Sequence, residues 1–238
     1  AGDPEAPTDP CWITVVRAGQ TLLQVPCVYT DTQPLDGRGV IDKVRDAWLV
    51  DGTMHPTFIR AWIRTAEDAG TLDHDLANRL LGGAEAMHPL GVEQSNTSVL
   101  LPTTDGNAES TALLKVIRIL HAGENPDVEI PLALRDREWT HVPAVLGHVE
   151  IPIAGGTAGT TGQACSGVLT HFVPDGTDGF DLFVDMARNG RDPWEHAHEL
   201  GRITGEMHHH LAEAFGLEGP LTGTQLAERV DVAVAAAA

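Results

Sequence analysis

The chain has 238 residues, with 34 acidic against 15 basic side chains and a formal net charge of -19 at pH 7. Apolar residues make up 42% and charged residues 21%, a balance that supports a sizeable core and excludes wholesale disorder. The acidity excludes nucleic acid and anionic membrane as partners, since both require a positive footprint, and no apolar run approaches the roughly 18 residues of a membrane helix.

Residues 1–10, AGDPEAPTDP, are rich in Pro and acid and are expected to be flexible; without a basic n-region or an apolar h-region they do not read as a signal peptide. Residues 11–90 read as a first unit. CWITVV, TLLQVPCVY and RDAWLVDG are short runs rich in Val, Ile, Tyr and Trp, parted by Gly and Asp, and predict strands. HPTFIRAWIRTAEDAG predicts a helix, with Pro56 in the first turn, Gly70 closing it, and Phe58, Trp62 and Ile63 at core spacing. LDHDLANRLL, with Asp73, His74 and Asp75, reads as a capped helix start. Cys11, Cys27 and Cys165 form no CxxC pair; a Cys11–Cys27 disulfide across a hairpin is conceivable, but scattered thiols in a reducing, cytoplasmic compartment are expected.

Residues 91–190 read as a second unit. SVLLP and TALLKVIRIL predict strands joined by a turn at Asp105-Gly106, followed by a helix that Asn125 caps and Pro126 begins. HVPAVLGHVEI and ACSGVLTHFVP predict two more strands around a small polar loop at 155–162. Antiparallel sheets are expected in both units, against a single doubly wound parallel sheet. Residues 191–238 predict helix, with Leu200, Ile203, Met207 and Leu211 on one face, and TGTQLAERVDVAVAAAA as a further helix start. Five histidines lie here. His209 and His210 are placed to meet Glu206, and a solvated face is expected in preference to a zinc site, which needs four clustered ligands.

The stretch Ser95-Asn96-Thr97-Ser98 puts four small hydrogen-bonding side chains before an apolar run. Lys115 is the only basic residue in TALLKVI, and Glu129 lies on the helix that follows. A phosphate-covering loop, a strand lysine that meets the phosphates and a helix glutamate that holds the lysine occur in this order in kinase N-lobes. A turn, an edge lysine pointing to water and a solvated glutamate would give the same pattern. Both readings stand on the residues alone.

GVEQSNTSVLL, ALLKVIRILHAGENPDVEIPLAL, HVPAVLGHVEI, VLTHFVPDGTDGFDL and LGRITGEMHHHLAEAFG resemble, in order, successive blocks of the actinobacterial maltokinases. QVPCVYTDTQPLDG and AWLVDGTMHPTFIRAWI resemble that family's N-terminal cap. The resemblance implies an α+β fold, with a cystatin-like cap over 11–90, a protein-kinase-like N-lobe over 91–190, and a helical start of a C-lobe over 191–238. It implies ATP and Mg as cofactors and maltose 1-phosphate as product. It implies Ser95, Asn96, Thr97 and Ser98 as the phosphate-covering loop, Lys115 on the α/β-phosphates with Glu129 as its partner, and Thr170, His171, Phe172 and Val173 as the hinge beside adenine. Partners implied are the nucleotide, a sugar once a C-lobe is supplied, and trehalose synthase or another α-glucan enzyme.

The chain departs from that family where phosphoryl transfer needs its carboxylates. No His-Gly-Asp-type catalytic loop followed by an Asp-Phe-Glu segment is present, and Asp178-Gly179 in TDGFDL reads as a turn. No catalytic residue and no metal ligand are therefore expected within these 238 residues. Two functions follow: the N-terminal part of an ATP-dependent sugar kinase, inactive alone, or a stand-alone, non-catalytic cap-and-lobe module that binds a nucleotide or a partner enzyme.

Overall fold

The computed structural model describes residues 9–32, 37–91, 96–104, 110–154 and 161–217, with positions 219, 223, 224, 227 and 230 beyond. Ser95, the Asp105-Gly106 turn, most of the 155–162 loop, residues 1–8 and most of the helix start at 222–238 lie outside the described residues. Residues up to Pro193 form one compact unit and residues from Trp194 a second.

Two antiparallel sheets build the first unit. Strands β1 (Cys11–Ala18), β2 (Thr21–Thr30), β3 (Val40–Val44) and β4 (Ala47–Asp51) lie in the order β1-β2-β4-β3. The two-residue connection between β1 and β2 needs a left-handed residue, which Gly19 supplies at φ +62°. The second sheet contains β5 (His88–Pro89), β6 (Asn96–Leu101), β7 (Ala112–Ile117), β9 (Val145–Ala154) and β10 (Thr161–His171), in the order β5-β6-β7-β10-β9. The doubly wound parallel alternative is excluded for these strands.

One connection departs from the sequence expectation. TALLKVIRIL is not a single strand: β7 ends at Ile117, Arg118 breaks the run, and β8 (Ile119–Leu120) leaves for the first sheet, where Leu120 pairs with Leu22 and Ile119 with Leu23. The expected division near residue 90 therefore runs through a shared core. Val28 and Val50 of the first sheet, Phe58, Ile59, Trp62 and Ile63 of helix α1 (Pro56–Asp68), and Val99, Leu114, Val116 and Leu169 of the second sheet belong to one buried cluster. Helix α2 (His74–Gly83) adds Ala77, Leu80 and Leu81, with Asp73 capping it through a hydrogen bond from the Leu76 N–H. Gly83 makes that docking possible: a Cβ there would lie 2.0 Å from the Pro102 carbonyl oxygen.

Cys11 and Cys27 are free thiols. Cys11 pairs with Val28 and Trp12 with Cys27, so the one-residue offset sends the two sulfurs to opposite faces of the sheet, and the conceivable disulfide is ruled out. Helix α3 (Pro126–Arg135) starts as expected, the Asn125 side chain accepting from the Asp127 N–H at 2.8 Å. Asp178 and Gly179 are not a free turn: Asp178 caps helix α4 (Gly179–Arg188), accepting from the Asp181 N–H at 3.1 Å.

Within the second unit, helix α5 (Trp194–Phe215) carries Arg202 between Glu199 and Glu206. His209 meets Glu213 at 3.1 Å and His210 meets it at 3.7 Å, so the expected pairing with Glu206 is replaced. The guanidinium, permanently charged, outcompetes an imidazole for that carboxylate.

His55 caps α1 by accepting from the Thr57 N–H at 3.3 Å through Nδ1, which requires the neutral ring. Burial pushes its pKa down, against the opposing pull of Asp9 and Glu85. Its contribution is thus present above the ordinary value near 6.5 and is lost as pH falls through that value toward the depressed one. His55→Ala should cost about 1 kcal/mol at pH 7.5 and much less at pH 5, whereas His55→Asn should cap at both; thermal unfolding at the two pH values measures this.

Candidate functional site: one face of the second sheet

Antiparallel pairing aligns residues of neighbouring strands on a common face. Ser98 of β6 stands opposite Lys115 of β7, Lys115 opposite Val168 of β10, and Val168 opposite His148 of β9. Two residues along, Leu100, Leu113 and Thr170 form a parallel row on the same face. The other face, with Val99, Leu114 and Val116, is the one packed in the core. A strand rises about 3.4 Å per residue, so the half-buried apolar row lies about 7 Å from the ammonium row. The face thus offers a flat apolar platform beside a cation and a hydroxyl.

Alternation divides the expected phosphate loop. Asn96, Thr97 and Ser98 are strand, not loop. Asn96 and Ser98 share the Lys115 face, while the Thr97 hydroxyl is turned away and accepts from Arg118 Nε at 2.9 Å. Ser95, the first residue of the expected loop, lies outside the described residues.

The expected Lys115–Glu129 pair is replaced as well. Lys115 Nζ donates to Asp127 Oδ2 at 2.9 Å. Positions 127 and 129 are separated by about 200° around a helix. With Val128 packed beside Ile117, Cys165 and Val168, Asp127 falls on the flank facing Lys115 and Glu129 on the other. Glu129 instead lines a half-open groove of about 380 Å³ with Val128, Leu132, His148, Glu150 and Cys165. Burial and then a hydrogen bond with Glu124 raise its pKa. Sequence order pointed to the right helix; its phase, set by Val128, chose the acid.

At the far end of β10, Thr170 faces the platform. The His171 N–H donates to the Ala144 carbonyl at 2.9 Å and the Phe172 N–H to the Thr111 carbonyl at 3.0 Å, which fixes the path of the expected hinge. Val173 follows, exposed. Leu100 and Leu113 were absent from the sequence expectation, although both sit at even spacing from Ser98 and Lys115 and could have been read from the period of two.

No family model matches the chain. Among solved structures it is similar to a glucosamine kinase in one crystal form, at TM-score 0.52 and 19% identity over 92% of this chain and 46% of that one. A second crystal form gives 0.51 and 18% over 96% and 53%. The fold is kinase-like. A glucosamine kinase holding glucosamine, ADP and inorganic phosphate matches at 0.48, with 18% identity over 92% and 47%. The chain spans about half the length of these structures.

If Asp127 is the acid that holds Lys115, Asp127→Ala should raise the rate of Lys115 acylation by a succinimidyl reagent several-fold, as peptide mass spectrometry would show. Glu129→Ala should leave that rate unchanged.

Proposed function

We propose that this chain is the nucleotide-side portion of an ATP-dependent sugar kinase, resembling the maltokinases, in which maltose is phosphorylated to maltose 1-phosphate. The observation that carries the reading is the register that sets Ser98 and Lys115 side by side next to Leu100, Leu113 and Thr170, on the sheet face turned away from the shared core of a kinase-like fold. ATP fits this donor set: the apolar row takes the base, the Thr170–Val173 segment borders it, and the Lys115 ammonium with the Ser98 hydroxyl faces the phosphates. The first sheet with α1 is the counterpart of the family's cap.

Magnesium does not fit the described residues, among which no group of three or more His, Cys, Asp or Glu side chains could hold a metal ion. The work of these residues is to bind and orient. Lys115 offsets charge on the phosphates, and the Asp127 pair keeps the ammonium over the sheet until a nucleotide arrives. The carboxylate that orients the sugar hydroxyl belongs, in this reading, to a C-terminal lobe, and sugar choice belongs there too.

With one wall of the cleft present and a chain charge of -19 that repels a polyphosphate, ATP should bind at about millimolar Kd, or roughly -4 kcal/mol, with a strong dependence on salt. Lys115→Ala should weaken it about tenfold in an NMR titration. These 238 residues alone should transfer no phosphate from ATP to maltose or glucosamine, and a longer chain carrying the C-terminal lobe should. Sugar phosphorylation by this chain that disappears with Lys115→Ala would overturn this division of labour.

A further inference from the structure

Arg118 occupies the break between β7 and β8, three residues after Lys115. Its Nε donates to Thr97 Oγ1 at 2.9 Å, one residue from Ser98. Its Nη2 donates to Asp51 Oδ2 at 2.7 Å and to Thr53 Oγ1 at 3.0 Å, both belonging to the first sheet's end of the molecule. Asp51 is in turn held: its Oδ1 accepts from the Thr53 hydroxyl at 2.7 Å and from the Thr53 N–H at 2.9 Å. The ion pair is mostly buried, with side-chain exposures of 19% for Arg118 and 22% for Asp51. Its backbone is pinned as well, the Gln24 N–H donating to the Arg118 carbonyl at 2.8 Å.

One planar guanidinium therefore joins three things: the start of β6, the end of the strand that carries Lys115, and the last residue of β4. Bonds of this kind are directional, and an ammonium in the same place cannot make them all. The Thr97 hydroxyl accepts from Arg118 on the core side while Ser98, the next residue, faces the platform. A shift of Thr97 is necessarily a shift of Ser98, because a strand is stiff over two residues.

We propose that Arg118 is a positioning residue for the phosphate end of this sheet face, fixing Ser98 against Lys115 and tying that geometry to the first sheet through Asp51. The proposal rests on the nucleotide reading given above. It assigns Arg118 no contact with the ligand; it acts through Thr97. The far end of the platform, at Leu100, Leu113 and Thr170, has no tie to the guanidinium among the hydrogen bonds and ion pairs of the described residues. The effect is therefore confined to phosphate.

The test is a ¹⁵N-NMR titration of the full chain with tripolyphosphate, ADP and adenosine as separate probes, at a temperature where each variant's circular dichroism matches the parent. Arg118→Lys and Thr97→Val should each weaken tripolyphosphate and ADP by about tenfold while leaving the adenosine shifts unchanged. Asp51→Asn combined with Arg118→Lys should be no worse than Arg118→Lys alone, because both act through one network. Equal affinity for tripolyphosphate in folded Arg118→Lys would overturn the proposal. So would a uniform loss across adenosine and ADP, which marks a scaffold role only. Should Arg118→Lys fail to fold, Thr97→Val decides, since it removes one hydroxyl and keeps the side-chain shape. Lys115→Ala separates the two levels: if it leaves tripolyphosphate binding intact, the nucleotide reading itself has failed, and this inference falls with it.

Discussion

The fold depends on satisfying one buried amide. Gln24, in the middle of β2, is 1% exposed. Its Nε2 donates to the Ile117 carbonyl and to the Ser166 carbonyl, each at 2.8 Å, and its Oε1 accepts from the Ser166 hydroxyl at 2.7 Å. A buried amide without partners costs on the order of 1–3 kcal/mol per unmet group, so these bonds decide where the chain can go. They demand a free carbonyl at the end of β7 and another in β10. Both are supplied by irregularity: β7 stops at Ile117 so that β8 can cross to the first sheet, and β10 has a bulge between Cys165 and Gly167 that leaves Ser166 out of the ladder with β9.

The bulge has its own requirement. At Gly167 a Cβ would sit 3.0 Å from the Lys115 carbonyl oxygen and 3.1 Å from the Trp62 indole nitrogen, so the missing side chain lets α1 lie close against β10 and β7. Trp62 is 3% exposed, and a shift there would be transmitted to Leu114 and Val116, the residues flanking Lys115 on the core side. The position of the lysine is thus set from both faces: by core packing beneath it and by the Asp127 carboxylate above it.

These dependencies explain what the sequence could and could not disclose. The caps at His55-Pro56, Asp73 and Asn125-Pro126 are local, and their helices were legible within a residue or two. The strand holding Lys115 was legible from its apolar run beside a turn signal. The break at Arg118 was not, because Val116, Ile117, Ile119 and Leu120 are as suited to one long strand as to two short ones, and the reason for the break is an amide 93 residues away in sequence. Gln24 itself, a polar residue in TLLQVPCVY, reads as the exposed side of a strand, yet its partner Ser166 lies 142 residues distant. For the candidate site the same division holds. Ser98 and Lys115 follow from their order along the chain and Thr170 from the family resemblance alone, but the acid partner depends on the rotational phase of α3, which Val128 fixes through contacts with Cys165 and Val168.

The replacement of Glu129 by Asp127 changes what the ion pair can do. Asp127 stands in the first turn of α3, where an acid is already favoured by the helix dipole, so its charge is stabilised whether or not Lys115 is present. Lys115 and Asp127 remain 33% and 46% exposed, which makes the pair worth at most about 1 kcal/mol and cheap to open. A fully buried pair would cost about 3–5 kcal/mol to break and would resist an incoming phosphate. Here the ammonium is held over the sheet by a partner that loses little on release, while Val168 and Ser98, its neighbours on either side, stay fixed by the ladder. A weakly held lysine on a rigid sheet thus keeps its charge paired and partly solvated, without burying an unpaired ammonium.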